Sequence, residues 1–323
     1  MSGSEILCIG EMLWDALPSG LFLGGAPFNV GCHLRAAGLP VSMVSRVGSD
    51  HLGEEAVRRA ARFGVGTELI QVDAELPTGF VRVTGDETSE PEYEIVEPVA
   101  WDAIATDASL VRRAAAARAI VFGSLAQRNR ATRETIQRLC ESSALKVFDV
   151  NLRAPHDDRE IVRRSLECAD VVKMNEAEMR RLAGWFALGG SDRDVASALS
   201  AAFGCATVCI TRGRDGAALW REGRWSDHPG FEVEVRDTVG AGDAFLAVLL
   251  AGLLSGAPDG ALLRHANLIG AYVVTQFGAV PVDQPAMTAD LLGGAAPSEA
   301  VGRPAERTRR RAARPRGPAS GGP

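Results

Sequence analysis

The chain has 323 residues, of which 24% are charged and 46% hydrophobic, and its formal net charge is −6. This length suits one large α/β domain or two ordinary ones. Residues 297–323 hold seven arginines and two glutamates, so the rest of the chain is more acidic than the total charge suggests. An acidic body argues against a nucleic-acid-binding core, which needs clustered lysine and arginine.

The six cysteines form no C-x-x-C pair, and the five histidines are scattered along the chain. This pattern predicts free thiols in a reducing cytosol rather than disulfides or a zinc site. The N-terminus passes directly into the strand-like run EILCIG, without the basic segment that opens a signal peptide. No apolar stretch is long enough to span a membrane, so we expect a cytoplasmic protein.

Short apolar runs alternate with helical patterns along most of the chain. Continuous hydrophobic runs predict buried strands at 6–9, 42–47, 119–122, 146–150, 171–174 and 207–211. Helical patterns cover 27–37, 53–63, 107–117, 132–142, 157–168, 177–183, 192–203, 241–255 and 259–276. This alternation predicts an α/β fold in which a mostly parallel sheet is covered by helices on both sides.

One segment, 78–99, interrupts this alternation with the sequence TGFVRVTGDETSEPEYEIVEPV. FVRVT and YEIVE alternate between apolar and polar residues, and a polar turn separates them, which predicts a hairpin. The hairpin is either a small flap over the active-site edge of the sheet or a surface hairpin without a role in the site.

The final segment, 294–323, is rich in arginine, proline and glycine and has almost no apolar residues. It cannot bury enough surface to fold alone, so we predict a disordered tail after a single domain at 1–293. Weak binding of polyanions by this tail is an alternative of low specificity.

The stretch DTVGAGDAF, residues 237–245, opens a helix that is apolar on nearly all sides. Gly240 and Gly242 let backbone N–H groups point into open space at the helix N-terminus, where the helix dipole favours an anion. Asp243 in the first turn has two interpretations. It caps the helix, or it is a base that takes a proton from an attacking hydroxyl beside this anion hole.

The stretch GEMLWDALPSGLFLGGAPFNV follows the first strand, at the sheet edge where parallel sheets bind ligands. Gly24 and Gly25 permit a close backbone approach, and Asn29 opens the next helix. Asp15 and Asn29 are residue types that bind the vicinal hydroxyls of a sugar. The alternative is an ordinary turn aspartate and a helix-start asparagine.

In VVKMNEAEMRRL a strand ends in Asn175, and Glu178 follows three residues later. This spacing is typical of a helix cap in which Asn175 is the N-cap. The functional alternative is a carboxylate and an amide that hold a hydrated Mg²⁺ beside nucleotide phosphates.

Two further strand ends carry weaker signals, in FDVNLRAP and VCITRGRDGAALW. Asn151 and Arg153 follow one strand, and an arginine there can neutralise phosphate charge. Thr211 and Gly213 close another strand in a tight turn, with Gly216 just after. Each of these also suits an ordinary turn.

Together these segments resemble the ribokinase-like (PfkB) sugar kinase family, in the same order, from about residue 6 to residue 292. DTVGAGDAF carries most of the resemblance, and GGAPFN, VGSDHLG and NEAE add to it. The resemblance implies a three-layer α/β/α sandwich with a mostly parallel sheet. It also implies a small β lid, formed mainly by 78–99 and part of 12–25, that in many members pairs between subunits of a homodimer.

The resemblance implies ATP as phosphoryl donor, Mg²⁺ as cofactor and K⁺ as a further ion. It makes Asp243 the catalytic base and Gly240, Ala241 and Gly242 the anion hole. The other implied roles are sugar binding by Asp15, Gly24, Gly25 and Asn29, phosphate and Mg²⁺ positioning by Asn151, Asn175 and Glu178, nucleotide binding by Thr211, Gly213, Gly216 and Asn267, and backbone ligation of a monovalent cation by Asp237 and Val239.

Within the family, GEMLWDALP, FGSLAQR and DVNLRAP look most like bacterial fructokinases, and they add Gln127 and Arg153 as substrate contacts. Phe28 departs from the fructokinase pattern, because it stands where a small residue is usual in GGAPxN. A bulky ring there is expected to narrow the sugar pocket or change its shape, and as an aromatic residue it keeps a nucleoside among the candidate acceptors. The acceptor therefore stays open between fructose, ribose, a ketodeoxy sugar acid and a nucleoside, and a non-catalytic sugar or nucleotide sensor is the alternative from another class.

Overall fold

The structure is a computed structural model that describes residues 5–17, 20–84 and 92–281. Its strands are β1 (Ile6–Ile9), β2 (Leu13–Leu17), β3 (Gly20–Gly24), β4 (Val41–Gly48), β5 (Ile70–Asp73), β6 (Gly79–Thr84), β7 (Glu92–Ile95), β8 (Ala119–Gly123), β9 (Leu145–Asp149), β10 (Val171–Asn175), β11 (Thr207–Thr211), β12 (Ala217–Arg221) and β13 (Arg224–His228). Its helices are α1 (Ala26–Ala36), α2 (His51–Arg62), α3 (Ala108–Ala116), α4 (Arg130–Cys140), α5 (Arg159–Cys168), α6 (Glu176–Trp185), α7 (Asp192–Phe203), α8 (Ala241–Ser255) and α9 (Asp259–Val273). The predicted tail at 294–323 lies outside the described residues.

The large sheet has the strand order β13-β12-β11-β10-β9-β8-β1-β4-β5. From β11 to β5 each neighbouring pair is parallel, and β12 and β13 add an antiparallel hairpin at one edge. Parallel strands end at the same edge of a sheet, so the segments that follow β1, β9, β10 and β11 meet there. The predicted mostly parallel sheet is confirmed.

Helices cover both faces of this sheet, which explains why its central strands are apolar throughout. In β1, Ile6 and Cys8 pack toward α1, α8 and α9, whereas Leu7 and Ile9 pack toward the layer that contains α3 to α7. All four side chains are fully buried. A parallel sheet covered on both faces needs such two-sided burial, and the result is the three-layer sandwich that the sequence predicted.

A second sheet has the order β3-β2-β6-β7. β6 and β7 are the two antiparallel strands predicted within 78–99, and Val81 lies opposite Ile95. Their connecting turn falls at 85–91, outside the described residues. β2 joins β6 in parallel and β3 in antiparallel pairing, so this sheet contains residues from 12–25 as well as from 78–99.

The hairpin of β12 and β13 was not predicted. Its strands are joined by Glu222 and Gly223, with φ of 50° and 81°. Such left-handed pairs form tight hairpin turns, but Asn-Gly or Asp-Gly is their usual sequence signal. Within the described residues, no helix is both long and apolar enough to cross a bilayer.

Candidate active site

The first turn of α8 presents its N–H groups at the carboxyl edge of the large sheet. Gly240 is the N-cap with φ of 78°, a left-handed conformation that glycine adopts without strain. A Cβ atom at position 240 would lie 2.5 Å from Ala279 Cα, so the backbone is closely packed there. The first N–H groups of a helix have no partner in their own helix, which favours an anion at this end.

Asp243 lies in this turn and contacts a residue predicted from a distant motif. Asn29 Nδ2 of α1 donates a hydrogen bond of 2.8 Å to Asp243 Oδ2. Burial raises the pKa of Asp243, and Lys173, the Asn29 hydrogen bond and Arg153 oppose that rise. The carboxyl group is half-buried and has cationic neighbours that favour its charged form.

Lys173 and Asp149 form a buried ion pair that the sequence analysis missed. Lys173 Nζ lies 3.0 Å from both carboxylate oxygens of Asp149, on the neighbouring strand. A Cβ atom at position 242 would lie 3.0 Å from Lys173 Nζ, so the ammonium group sits against Gly242. A lysine inside the apolar strand VVKMN is the available sequence signal, but only the strand pairing shows its partner.

Glu11 is a second charged residue that sequence analysis missed. It follows β1 and is 2% exposed, and its Oε1 accepts a 3.2 Å hydrogen bond from the Ala26 N–H at the start of α1. Its Oε2 is buried and has no hydrogen-bond partner among the residues that the structure describes. Burial raises the pKa of Glu11 to about 7, and the charge of Asp243 adds to the rise, whereas Arg153 opposes it.

Asp15 reaches the same region from β2 of the small sheet. Its Oδ2 lies 2.8 Å from the position that a Cβ of Gly24 would occupy, so only glycine leaves room for this carboxylate. A Cβ at Gly25, where φ is 115°, would lie 2.2 Å from Glu11 O. Burial raises the pKa of Asp15 to about 6, and Arg153 opposes this.

Asn175 and Glu178 form the helix cap of which their spacing in the sequence is typical. Asn175 Oδ1 accepts from the Glu178 N–H at 2.9 Å, and Glu178 Oε2 accepts from the Asn175 N–H at 2.8 Å. Glu178 Oε1 accepts from the Leu152 N–H at 2.9 Å. This cap fixes the start of α6 to the loop after β9, so Glu178 is held 5% exposed at the cleft edge.

A cavity of about 650 Å³ extends from the start of α8 to β11 and α9. Its lining includes predicted residues from three separate stretches of the chain, namely Thr211, Gly213, Gly216, Ala241, Gly242 and Asn267. Gly216 has φ of 79°, and a Cβ there would lie 2.0 Å from His228 O, so the turn after β11 packs directly on the end of β13. Asn267 is 8% exposed, and its Nδ2 donates to Leu263 O at 2.7 Å.

The loop before α8 is held by the Asp237 side chain. Its Oδ1 accepts from the Val239 N–H at 3.0 Å, and its Oδ2 accepts from the Gly278 N–H at 3.1 Å. In the part of the chain that the structure describes, no group of three or more histidine, cysteine, aspartate and glutamate side chains is arranged to hold a metal ion. That finding concerns side-chain ligands. A monovalent cation bound by backbone carbonyl groups would not need them.

Two further predicted residues, Asn151 and Arg153, follow β9. Asn151 has φ of 37°, and its carbonyl accepts from Ser124 Oγ at 3.3 Å. Arg153 follows on an exposed loop, and its charge opposes the rise that burial causes in the pKa of Glu11, Asp15 and Asp243.

Two predicted residues instead belong to the interior. Gln127 is 1% exposed, and its Nε2 donates to Gly123 O and Ser165 Oγ, both at 2.9 Å, so the structure does not bring it to the cleft. Phe28 is 1% exposed and packs edge-on against Phe63 with ring centroids 6.3 Å apart. The expectation that Phe28 narrows the sugar pocket is wrong, because its ring points into the core.

Comparison with known proteins gives the class and the family of this chain. A family model described as pfkB family carbohydrate kinase matches residues 20–286. The chain therefore belongs to the pfkB carbohydrate kinase family, which confirms the resemblance seen in the sequence.

Individual relatives point in the same direction. A fructokinase of Klebsiella pneumoniae is 30% identical over 309 residues, which cover 85% of this chain and 95% of that protein. The structure of Vibrio cholerae fructokinase with fructose, ADP and calcium matches with a TM-score of 0.74 and 25% identity, over 90% and 100% of the two chains. Salmonella enterica aminoimidazole riboside kinase, solved with its riboside and an ATP analogue, matches with a TM-score of 0.72 and 27% identity, over 89% and 99%.

Proposed function

We propose that this sugar kinase transfers the γ-phosphoryl group of ATP to the primary hydroxyl of D-fructose, giving fructose 6-phosphate and ADP. The observation that carries the proposal is the contact between Asn29 Nδ2 and Asp243 Oδ2. This contact joins the predicted sugar motif and the predicted anion hole, which are 214 residues apart.

In the proposed reaction Asp243 accepts the proton of the attacking hydroxyl. The sugar oxygen forms its new bond to the γ-phosphorus as the bond from that phosphorus to the β-γ bridging oxygen breaks, and ADP carries away the electron pair. The N–H groups of Gly240, Ala241 and Gly242 face the transferred group and stabilise its charge. Asn29 orients Asp243, and Asp15 binds a sugar hydroxyl.

The cavity of about 650 Å³ is large enough for a nucleotide. One end of it lies at the α8 N-terminus, where phosphates bind favourably. We assign the adenine end to Asn267 and the phosphate end to Thr211, Gly213 and Gly216. Mg²⁺ would neutralise phosphate charge, and Glu178 would hold it through water. Asn175 and Asn151 would lie beside the phosphates. The carbonyl groups of Asp237 and Val239 are the proposed ligands of K⁺.

The choice of fructose is supported by the fructokinases among the relatives and by the motifs around Asp15 and Arg153. A nucleoside remains the second candidate, because aminoimidazole riboside kinase matches the fold equally well. Phe28 no longer supports it, since its ring is in the core.

A coupled assay of ADP release over a panel of sugars tests this proposal. Fructose, ribose, 2-keto-3-deoxygluconate, adenosine and aminoimidazole riboside would be ranked by kcat/KM, with and without K⁺. We expect fructose to rank first and K⁺ to raise the rate. A higher kcat/KM for another acceptor would replace fructose, and no turnover with any acceptor would favour the sensor alternative.

We also propose that the small sheet closes over the sugar as a lid and pairs with a second copy of this chain. β3 is an edge strand, and its Leu21 and Phe22 are 38% and 37% exposed, which is unusual for large apolar side chains. Light scattering of the eluting protein should give the mass of a dimer, and Phe22→Ser should lower it to that of a monomer. A wild-type monomer at micromolar concentration would contradict the pairing.

A further inference from the structure

Two lysine–aspartate pairs bridge the same two strands, β9 and β10, at their opposite ends. Lys146 of β9 pairs with Asp170, just before β10, at 3.0 Å. Three residues further along each strand the order reverses, and Asp149 of β9 pairs with Lys173 of β10 at 3.0 Å. The first pair lies at the amino edge of the sheet and the second at the carboxyl edge, beside the cleft.

The two pairs differ in burial. The side chains of Lys146 and Asp170 are 17% and 39% exposed, whereas those of Lys173 and Asp149 are 8% and 4% exposed. A buried ion pair loses so much hydration that apolar residues of similar size often give an equally stable protein. Stability alone is therefore a weak explanation for the Lys173–Asp149 pair.

The surroundings of Lys173 indicate another role. Its ammonium group lies against Gly242, which precedes Asp243 in the first turn of α8. We propose that Lys173 is a positioning residue whose charge, fixed by Asp149 under this turn, keeps the Asp243 carboxylate ionised and ready to accept a proton. This inference rests on the proposed role of Asp243 as the base.

Charged groups from every neighbouring element act on this carboxylate. Lys173 from β10 and Arg153 from the loop after β9 favour its ionised form, as does the hydrogen bond from Asn29 of α1. Burial raises the pKa of Asp149 and of Glu11, and the charge of Asp243 raises both further, so these carboxyls repel it from β9 and from the segment after β1.

Lys173 itself has the electrostatic surroundings that this role requires. Burial opposes its charge, but Asp149, Asp243 and Glu178 together hold its pKa above the ordinary value for lysine. It therefore stays protonated across the pH range of an assay. Of the two cations near Asp243, Lys173 is the buried one, and Arg153 is exposed to screening solvent.

The test is the pH profile of kcat for Lys173→Met, with sugar and MgATP both saturating, so that the pH dependence of the sugar KM expected from Asp15 does not enter. Loss of a nearby positive charge should raise the pKa of Asp243, so the acidic limb of the profile should move up by about one pH unit. The rate then falls about tenfold on that limb and recovers toward the wild-type value at higher pH. Lys173→Arg keeps the charge and should restore the limb.

Asp149→Asn provides the opposite perturbation. It leaves the ammonium group of Lys173 without its carboxylate partner, so the limb should move to lower pH. A merely structural role for the pair predicts pH-independent losses in both variants. That result, or an unchanged limb in Lys173→Met, would overturn the inference.

Lys146→Met is the matched control, because it removes a lysine from the same strand pair at the far edge of the sheet. It should leave the pH profile unchanged. Carbon-13 NMR of labelled aspartate, with the Asp243 signal assigned through Asp243→Asn, gives a readout without turnover. An inactive wild-type protein would refute the proposed function, whereas an active one with an unshifted Asp243 titration in Lys173→Met would refute this inference alone.

Discussion

The two ends of the cleft differ in the residues that line them. The proposed nucleotide end is shaped by glycines, apolar side chains and the amide of Asn267, and its charged lining residues are exposed. The proposed acceptor end holds several buried or half-buried carboxyl groups, with Lys173 and Arg153 as neighbouring cations. The first end should therefore respond to added atoms and the second to changes in charge and pH.

Asp243→Asn should have the largest effect, because it removes the proposed base and keeps the size of the side chain. We expect kcat to fall by about 10²–10⁴-fold, since proton transfer to a positioned base contributes on this scale. Binding of ATP, measured by calorimetry, should stay close to wild type because the nucleotide cavity is unaltered. A kcat near the wild-type value would refute the role of Asp243.

Gly216→Ala tests the nucleotide end with a single added carbon atom. The new Cβ would lie 2.0 Å from His228 O, so the turn between β11 and β12 must shift. We expect the KM for ATP to rise by about tenfold or more, which corresponds to roughly 1.4 kcal/mol, while the KM for sugar stays unchanged.

Gly223→Ala controls for backbone strain in this experiment. Gly223 also has a left-handed φ, of 81°, but its Cβ would meet open space. This variant should lose a little stability and leave both KM values unchanged. Equal effects of the two substitutions on the KM for ATP would show that strain, rather than the close packing at Gly216, controls the nucleotide end.

Asp15→Asn tests the charge at the acceptor end. The pKa of Asp15 is raised to about 6, so its carboxylate becomes a full hydrogen-bond acceptor for sugar only as the pH passes that value. The wild-type KM for sugar should therefore fall several-fold between pH 5 and pH 7. In the variant this pH dependence should weaken, and an identical dependence would exclude Asp15 as its source.

Glu11→Gln tests the buried carboxyl group after β1 through its effect on stability. Below about pH 4.5 the carboxyl is protonated in the folded and unfolded states, so it contributes no difference. Between that value and about 7 the unfolded chain releases the proton while the folded protein retains it, so rising pH favours unfolding. Urea denaturation should show the variant more stable than wild type by roughly 1–3 kcal/mol at pH 8, with the difference vanishing near pH 4.5.

Much of the fold could be predicted from local pattern. The buried strands of the parallel sheet and the helices between them follow from apolar runs and helical periodicity, because both faces of each strand are covered. The hairpin of β12 and β13 escaped because Glu222 and Gly223 do not carry the usual turn signal. The turn depends on the left-handed backbone conformation of Glu222, which glutamate as a residue type does not predict.

The candidate site was predicted less completely than the fold. Asp243 and Asn29 stand in distinctive motifs, and the structure brings them into contact. Lys173 and Asp149 were missed because their pairing depends on which strands are neighbours, and no local pattern contains that information. Phe28 was misjudged for a related reason, since the side of α1 that it occupies is set by packing against Phe63.

The short loop at 277–279 links two helices of the site that are far apart in sequence. His33 Nε2 of α1 donates to Ala279 O at 2.9 Å, and Gly240 at the start of α8 packs against the same residue. Gly278 is in turn bound by Asp237. For protein engineering this sets a limit on truncation, because a chain shortened before Ala279 would lose the contacts that align α1 with α8.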